Sequence, residues 1–160
     1  MTKDEQIREL FKKYDLFYDR NNPESRDNDV YIHKHYKTIT RPGIQKIQRK
    51  AGIKIDYDPI NNSCGPDWAV IRATGHYTDK ETGEYKTYTT FGSANAGNCR
   101  TGYYAEMAEK RVMSRIVLSL VGLYELGFYG NDEVEDGEKE QPKVEKKVEK
   151  KSLFKTEEGV

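Results

Sequence analysis

Two carboxylates and a lysine stand in an order that could hold a metal ion. Pro66-Asp67 followed by Glu84-Tyr85-Lys86 gives a PD…ExK arrangement, in which acidic side chains bind a divalent cation and the lysine helps activate water. The spacing tests this at once. Two strand-like runs, 67–78 and 84–93, are joined by a short turn ending in Gly83, so Glu84 falls opposite Thr78. Eleven residues of strand then separate it from Asp67, roughly 36 Å at about 3.3 Å per residue. Ligands of one metal must converge within a few ångströms. Other chemistry is weaker still. The GSANAGN loop lacks the GK[ST] ending of a phosphate-binding P-loop. Cys64 and Cys99 form no CxxC pair and read as reduced thiols, and His33, His35 and His76 stand at no metal-ligand spacing to them. No Ser/His/Asp or Cys/His set has support beyond composition, so no catalytic residue, metal or cofactor is assigned.

The runs around that motif are better read as a scaffold. Ile53, Ile55 and Tyr57 alternate with Lys54, Asp56 and Asp58, the period of a half-buried strand. With the following hairpin centred on Glu81, residue 72 faces 90, 74 faces 88 and 76 faces 86. One face then carries Ala69, Ile71, Ala73, Tyr77, Tyr85, Thr87, Thr89 and Phe91, small and apolar enough to receive a helix. The other carries Trp68, Val70, Arg72, Thr74, His76, Lys86, Tyr88 and Thr90, positive charge with aromatics between, as a nucleic-acid surface requires. Register decides this, because a slip of one residue exchanges the faces.

The helix comes from Tyr103 to Gly122, after the small-residue loop GSANAGNCRTG. Ala105, Ala108, Val112, Ile116 and Leu120 recur at helical spacing and should face a core. Beyond Ile116 the segment is apolar almost all round, which implies burial by more than one neighbour, another subunit included. Upstream, Thr2 and Glu5 form a capping box for an N-terminal amphipathic helix carrying Ile7, Leu10, Phe11 and Tyr14. A mobile loop is expected over 19–29 and a short extended piece over 31–40. A second helix runs from the N-cap Thr40, with Pro42 in its first turn, to Gly52. LYELGFYG, after Gly122, reads as an aromatic cap on the core.

With 160 residues the chain suits one domain with extensions: an N-terminal helix and loop over 1–30, a core over 31–130, and a disordered charged tail over 131–160. No apolar run is long enough for a membrane span and no signal region opens the chain, so a cytoplasmic protein with no membrane partner is expected. The zero net charge hides an asymmetry. From Tyr31 to Gly122 there are 14 Lys and Arg against 8 Asp and Glu, and from Asn131 to Val160 there are 7 against 10. A basic body with an acidic tail fits an anionic partner.

Four segments, ITRPGIQKIQRKAGIKIDY, WAVIRATGHY, YTTFGSANAGN and YYAEMAEKRVMSRIVLSLVGLYELG, carry a resemblance. Their order and content, with AEMAEKR after the FGSAN loop, resemble phage single-strand annealing proteins of the Erf and Sak type. That superfamily includes Red-beta, RecT and the eukaryotic annealing protein Rad-fifty-two. The likeness spans roughly Tyr31 to Gly130. It implies an α+β fold in the order α-β-β-β-α: a three-stranded antiparallel meander sheet packed against a long C-terminal helix, with the N-terminal helix and tail outside. It also implies sequence-independent single-stranded DNA binding and annealing in phage recombination or replication, without catalysis or cofactor, by a homo-oligomeric ring or filament. A single-strand-binding protein or an exonuclease would be a further partner. Carried over by position, Lys110, Arg111 and Arg115 on the helix and Arg72 and Lys86 on the hairpin would contact phosphates. Tyr88 would stack on a base, and Arg100 would add to an anion site at the helix N-terminus. Glu106 and Glu109 lie close to that groove and depart from its charge. Two other classes remain open: a metal-dependent nuclease of the PD-(D/E)xK type, and a protein-interaction module without nucleic acid.

Overall fold

The computed structural model describes residues 1–33, 35–58, 63–133, 155, 156, 158 and 159. The local signals for the first two helices act as read. Lys3–Lys13 (α1) starts at Thr2, whose Oγ1 accepts from Glu5 N while Glu5 Oε1 accepts from Thr2 N, 3.2 and 3.0 Å. Arg41–Ala51 (α2) starts at Thr40 and stops at Gly52, which takes the left-handed conformation at φ 72°. The 19–29 loop is pinned rather than open. Asn28 and Asp29 are buried, and the Asp29 carboxylate accepts from Phe17 N at 2.9 Å and Lys46 Nζ at 2.8 Å.

The 31–40 piece is a hairpin of Val30–His33 (β1) and Tyr36–Ile39 (β2), and β2 pairs in parallel with Phe128–Gly130 (β7). This small sheet was not expected, because its third strand comes from the segment read as an aromatic cap. The main sheet contains Lys54–Tyr57 (β3), Ser63–Gly65 (β4), Trp68–Thr78 (β5) and Tyr85–Asn95 (β6), all antiparallel to β5. Because β6 pairs along all of β5, β3 and β4 must share its other edge, β3 beside residues 73–76 and β4 beside 68–70. The fold is α+β, a meander of β3, β5 and β6 with β4 extending one edge.

The Tyr104–Val121 helix (α3) crosses one face of this sheet and ends at Gly122, again left-handed, at φ 91°. Gly75 lies directly under Ile116, and a Cβ there would come within 2.9 Å of Leu120 Cδ1. A Cβ on Gly92 would meet the α3 backbone, 2.6 Å from Val112 N. These glycines let the helix axis come down on the sheet. The rest of α3 is covered by α2 and β7, with Leu123 and Phe128 beside it. The all-round apolar half is therefore buried by several elements of the same chain. Ala105, expected on the core face, is exposed and borders an open groove with Tyr57, Ile71, Glu106 and Glu109, while Tyr104 and Met107 pack against Ala69 and Ala94.

Part of the expected tail belongs to the body. Residues 131–133 make a helical turn against α3, while 134–154, 157 and 160 lie outside the described residues. Lys155–Thr156 (β8) pairs with Glu158–Gly159 (β9). No helix among the described residues is long and apolar enough to cross a membrane.

Candidate nucleic-acid interface

The β5–β6 hairpin has a register one residue away from the expected one. Arg72 faces Phe91, Thr74 faces Thr89 and His76 faces Thr87. Its loop sets this parity: Asp79 N donates to the Glu84 carbonyl at 2.8 Å, Gly83 N to the Asp79 carbonyl at 2.7 Å, and Gly83 adopts φ 77°. The midpoint thus falls between Glu81 and Thr82, not on Glu81. On β6 every side chain changes face as a result. Even-numbered residues, Lys86, Tyr88, Thr90, Gly92 and Ala94, share the helix side with Ala69, Ile71, Ala73, Gly75 and Tyr77. Odd-numbered residues, Tyr85, Thr87, Thr89 and Phe91, stand on the uncovered face with Trp68, Val70, Arg72, Thr74 and His76.

That uncovered face is aromatic and polar together. Trp68, Tyr85 and Phe91 are 38%, 60% and 48% exposed. Trp68 and Arg72 lie four residues apart on one strand, and Phe91 sits across from Arg72. Asp58 pairs with the Arg72 guanidinium and fixes it over the sheet, while 36% of the Arg72 side chain stays in solvent. His76 bridges Asp56, 3.0 Å from Nε2, and the Tyr85 hydroxyl, 2.6 Å from Nδ1. Thr74 and Thr89 join their hydroxyls at 2.7 Å. Sequence reasoning put Trp68, Arg72 and His76 on this face but missed Tyr85 and Phe91. A usable signal existed: Gly75, Gly92 and Ala94 are the residues small enough to lie beneath a helix, and grouping them demands the observed register.

On the other side, Lys86 and Tyr88 lie beyond the cover of α3 and border a groove with Ser119, Leu120, Tyr124 and Glu125. Burial raises the Tyr124 hydroxyl above its ordinary pKa, helped by Glu133 and countered by Arg115. Arg115 itself is anchored. Its Nε and Nη2 hold Glu133 Oε1 at 3.0 and 2.8 Å, and its Nη1 donates to the Phe91 carbonyl at 2.8 Å, leaving about a third of the side chain exposed. Glu133 is nearly enclosed and its carboxyl is pushed up, burial outweighing Arg115. Asp132 is likewise raised by burial, with Arg41 and Lys110 countering.

The expected phosphate contacts therefore separate. Lys86 and Tyr88 stay together, but Arg72 lies across the sheet from them. Arg100 is exposed in the loop before α3, whose N-cap residue Tyr103 supplies no side-chain cap, and Lys110 is half-buried near Asp132. Arg111 is corrected outright. It is 5% exposed, and its guanidinium donates to Ser93 O at 2.7 Å, Asn98 Oδ1 at 3.0 Å, Asn98 O at 2.7 Å and Asp132 O at 3.2 Å. Its charge is spent on internal acceptors and is not presented to a ligand.

Neither a family model, a curated protein nor a solved structure matches this chain. Asp67 and Glu84 flank opposite ends of the eleven-residue β5–β6 ladder, so the PD…ExK carboxylates do not converge. Among the described residues no group of three or more His, Cys, Asp and Glu could hold a metal ion.

Proposed function

We propose that the protein binds single-stranded DNA without sequence preference and promotes annealing of complementary strands as a homo-oligomer, in the manner of the phage annealing proteins its sequence resembles. The observation that supports this reading best is the exposure on the uncovered sheet face of Trp68, four residues from Arg72 along β5, and of Phe91, across from Arg72 on β6. Single-strand binders combine aromatic platforms, on which any base can stack, with cations that track the backbone. Aromatic rings left in water on a sheet face suit that task, and every base offers a π-face, so the contact carries no sequence information. Lys86, Arg100 and Arg115 add positive charge along the hairpin edge and the loop before α3. No bond is made or broken. Neutralising phosphates and holding bases apart from one another lets complementary strands meet.

The test is fluorescence polarisation of a labelled oligothymidine at two salt concentrations, with and without magnesium, followed by a strand-annealing assay. Binding that weakens as salt rises, leaves the oligonucleotide intact and depends on Trp68 and Phe91 supports the reading. No binding at low salt overturns it and favours the protein-interaction module.

A further inference from the structure

The outer edge of β6 is closed over one half and open over the other. Asp58 N donates to the Arg72 carbonyl at 2.9 Å, so Arg72 turns its backbone groups toward β3 and its partner Phe91 turns its own away from β5. The same alternation sends the N–H and C=O groups of all odd-numbered β6 residues outward. In the second half the outward carbonyls, and the N–H of Asn95, are engaged. Arg115 takes the Phe91 carbonyl at 2.8 Å, Arg111 the Ser93 carbonyl at 2.7 Å, and Asn98 Oδ1 accepts from Asn95 N at 2.8 Å. In the first half, among the described residues, no hydrogen bond reaches the outward groups of Tyr85, Thr87 or Thr89. Residues 85–89 are exposed on both faces as well.

Soluble proteins usually charge, shorten or cover such an edge. This one is Tyr-Lys-Thr-Tyr-Thr, rich in β-formers, free of Gly and Pro, with one charge. We propose that it is covered by the same edge of a second copy, antiparallel about a two-fold axis through Thr87. Tyr85 then meets the partner's Thr89 and Thr87 meets the partner's Thr87, closing about six main-chain hydrogen bonds. Lys86 falls opposite the partner's Tyr88, so no like charges are opposed. The Arg111 and Arg115 caps limit pairing to these five residues and fix its register. The two main sheets become one, with both α3 helices on the same side and the two uncovered faces continuous.

Resting on the single-strand reading, this pairing joins the Trp68, Phe91 and Tyr85 platform of one copy to that of the other. One strand then crosses both. The pairing itself is tested without nucleic acid, so the two ideas fail separately.

Sedimentation velocity of the full chain is expected to give a dimer or a multiple of dimers. Thr87→Pro should halve the mass while far-UV circular dichroism and the melting temperature stay near wild type, because that N–H makes no bond among the described residues. In a Cys64→Ser background, Thr87→Cys should form an intermolecular disulfide on oxidation, since paired residues at this spacing fit the bond, and Ser93→Cys should not. With oligothymidine, the Thr87→Pro particle should occlude about half as many nucleotides as the wild-type particle. A wild-type monomer, an assembly unchanged by Thr87→Pro, or Ser93→Cys cross-linking as readily as Thr87→Cys overturns the proposal. If Thr87→Pro fails to fold, the cysteine pair decides alone. Mass results as expected with no oligothymidine binding leave the pairing standing and remove the nucleic-acid reading.

Discussion

Arg111 Nη1 donates to the outward carbonyl of Ser93 over 2.7 Å, fastening α3 to the edge of β6 from inside the protein. The same guanidinium also serves Asn98 and Asp132, so a side chain that looks like a surface cation in the sequence joins three segments.

Arg111→Ala should therefore act on stability. Removing it leaves several buried acceptors without a donor, a loss of about 3 kcal/mol or more on the scale of broken buried charge networks. Urea denaturation measures this, and Arg111→Lys should recover only part, since an ammonium cannot span the same acceptors. A variant of native stability and weaker oligothymidine binding would return Arg111 to the ligand surface.

Gly92→Ala should cost about 1–3 kcal/mol, because the added methyl meets the α3 backbone and a backbone cannot rotate aside as a side chain can. Gly83→Ala is strained for a different reason, its left-handed φ of 77°, with open space around it. Thermal melts of the two should differ in a further respect: only Gly92→Ala should expose core surface and bind a hydrophobic dye before unfolding.

On the uncovered face, Trp68→Ala and Phe91→Ala should each weaken oligothymidine binding by about 1–3 kcal/mol with the salt slope unchanged. Lys86→Ala should lower the slope of log affinity against log salt by about 0.7, the value for one phosphate contact on a single strand. Polarisation titrations across a salt series separate the two outcomes.

The buried carboxyls of Glu133 and Asp132 titrate above their ordinary ranges, so the folded chain holds their protons more tightly than the unfolded chain does. Stability from these groups is present below the ordinary carboxylate pKa and falls as pH rises through the raised folded values. Asp132→Asn with Glu133→Gln should reduce the fall in stability as pH rises above the ordinary carboxylate range, measured by urea denaturation across a pH series. Asp79, lowered chiefly by the Glu81 backbone N–H, is unchanged between the two proteins and cancels from the comparison.

Local chemistry determined what could be read without the fold. The Thr2 and Glu5 capping box, the Thr40 cap with Pro42, and the stops at Gly52 and Gly122 each act within a few residues, so the sequence specifies α1, α2 and α3 on its own. The alternation of Ile55 with its charged neighbours and the two long runs around Gly83 likewise announce an antiparallel sheet. Facing and pairing were decided at longer range. Odd and even residues of β6 are equally good strand formers, so their composition leaves the parity open. The four-residue turn at Lys80–Gly83 and the approach of α3 onto Gly75 and Gly92 choose between them. Arg111 follows the same logic: whether a guanidinium is buried depends on acceptors brought by the β6 edge, the Asn98 turn and Asp132, all of them 13 or more residues away. The parallel pairing of β2 with β7 spans some ninety residues, as does the bond from Thr38 Oγ1 to Asn131 Oδ1 at 3.4 Å. No local pattern encodes such a contact, because its free energy exists only once the helix between the strands has packed.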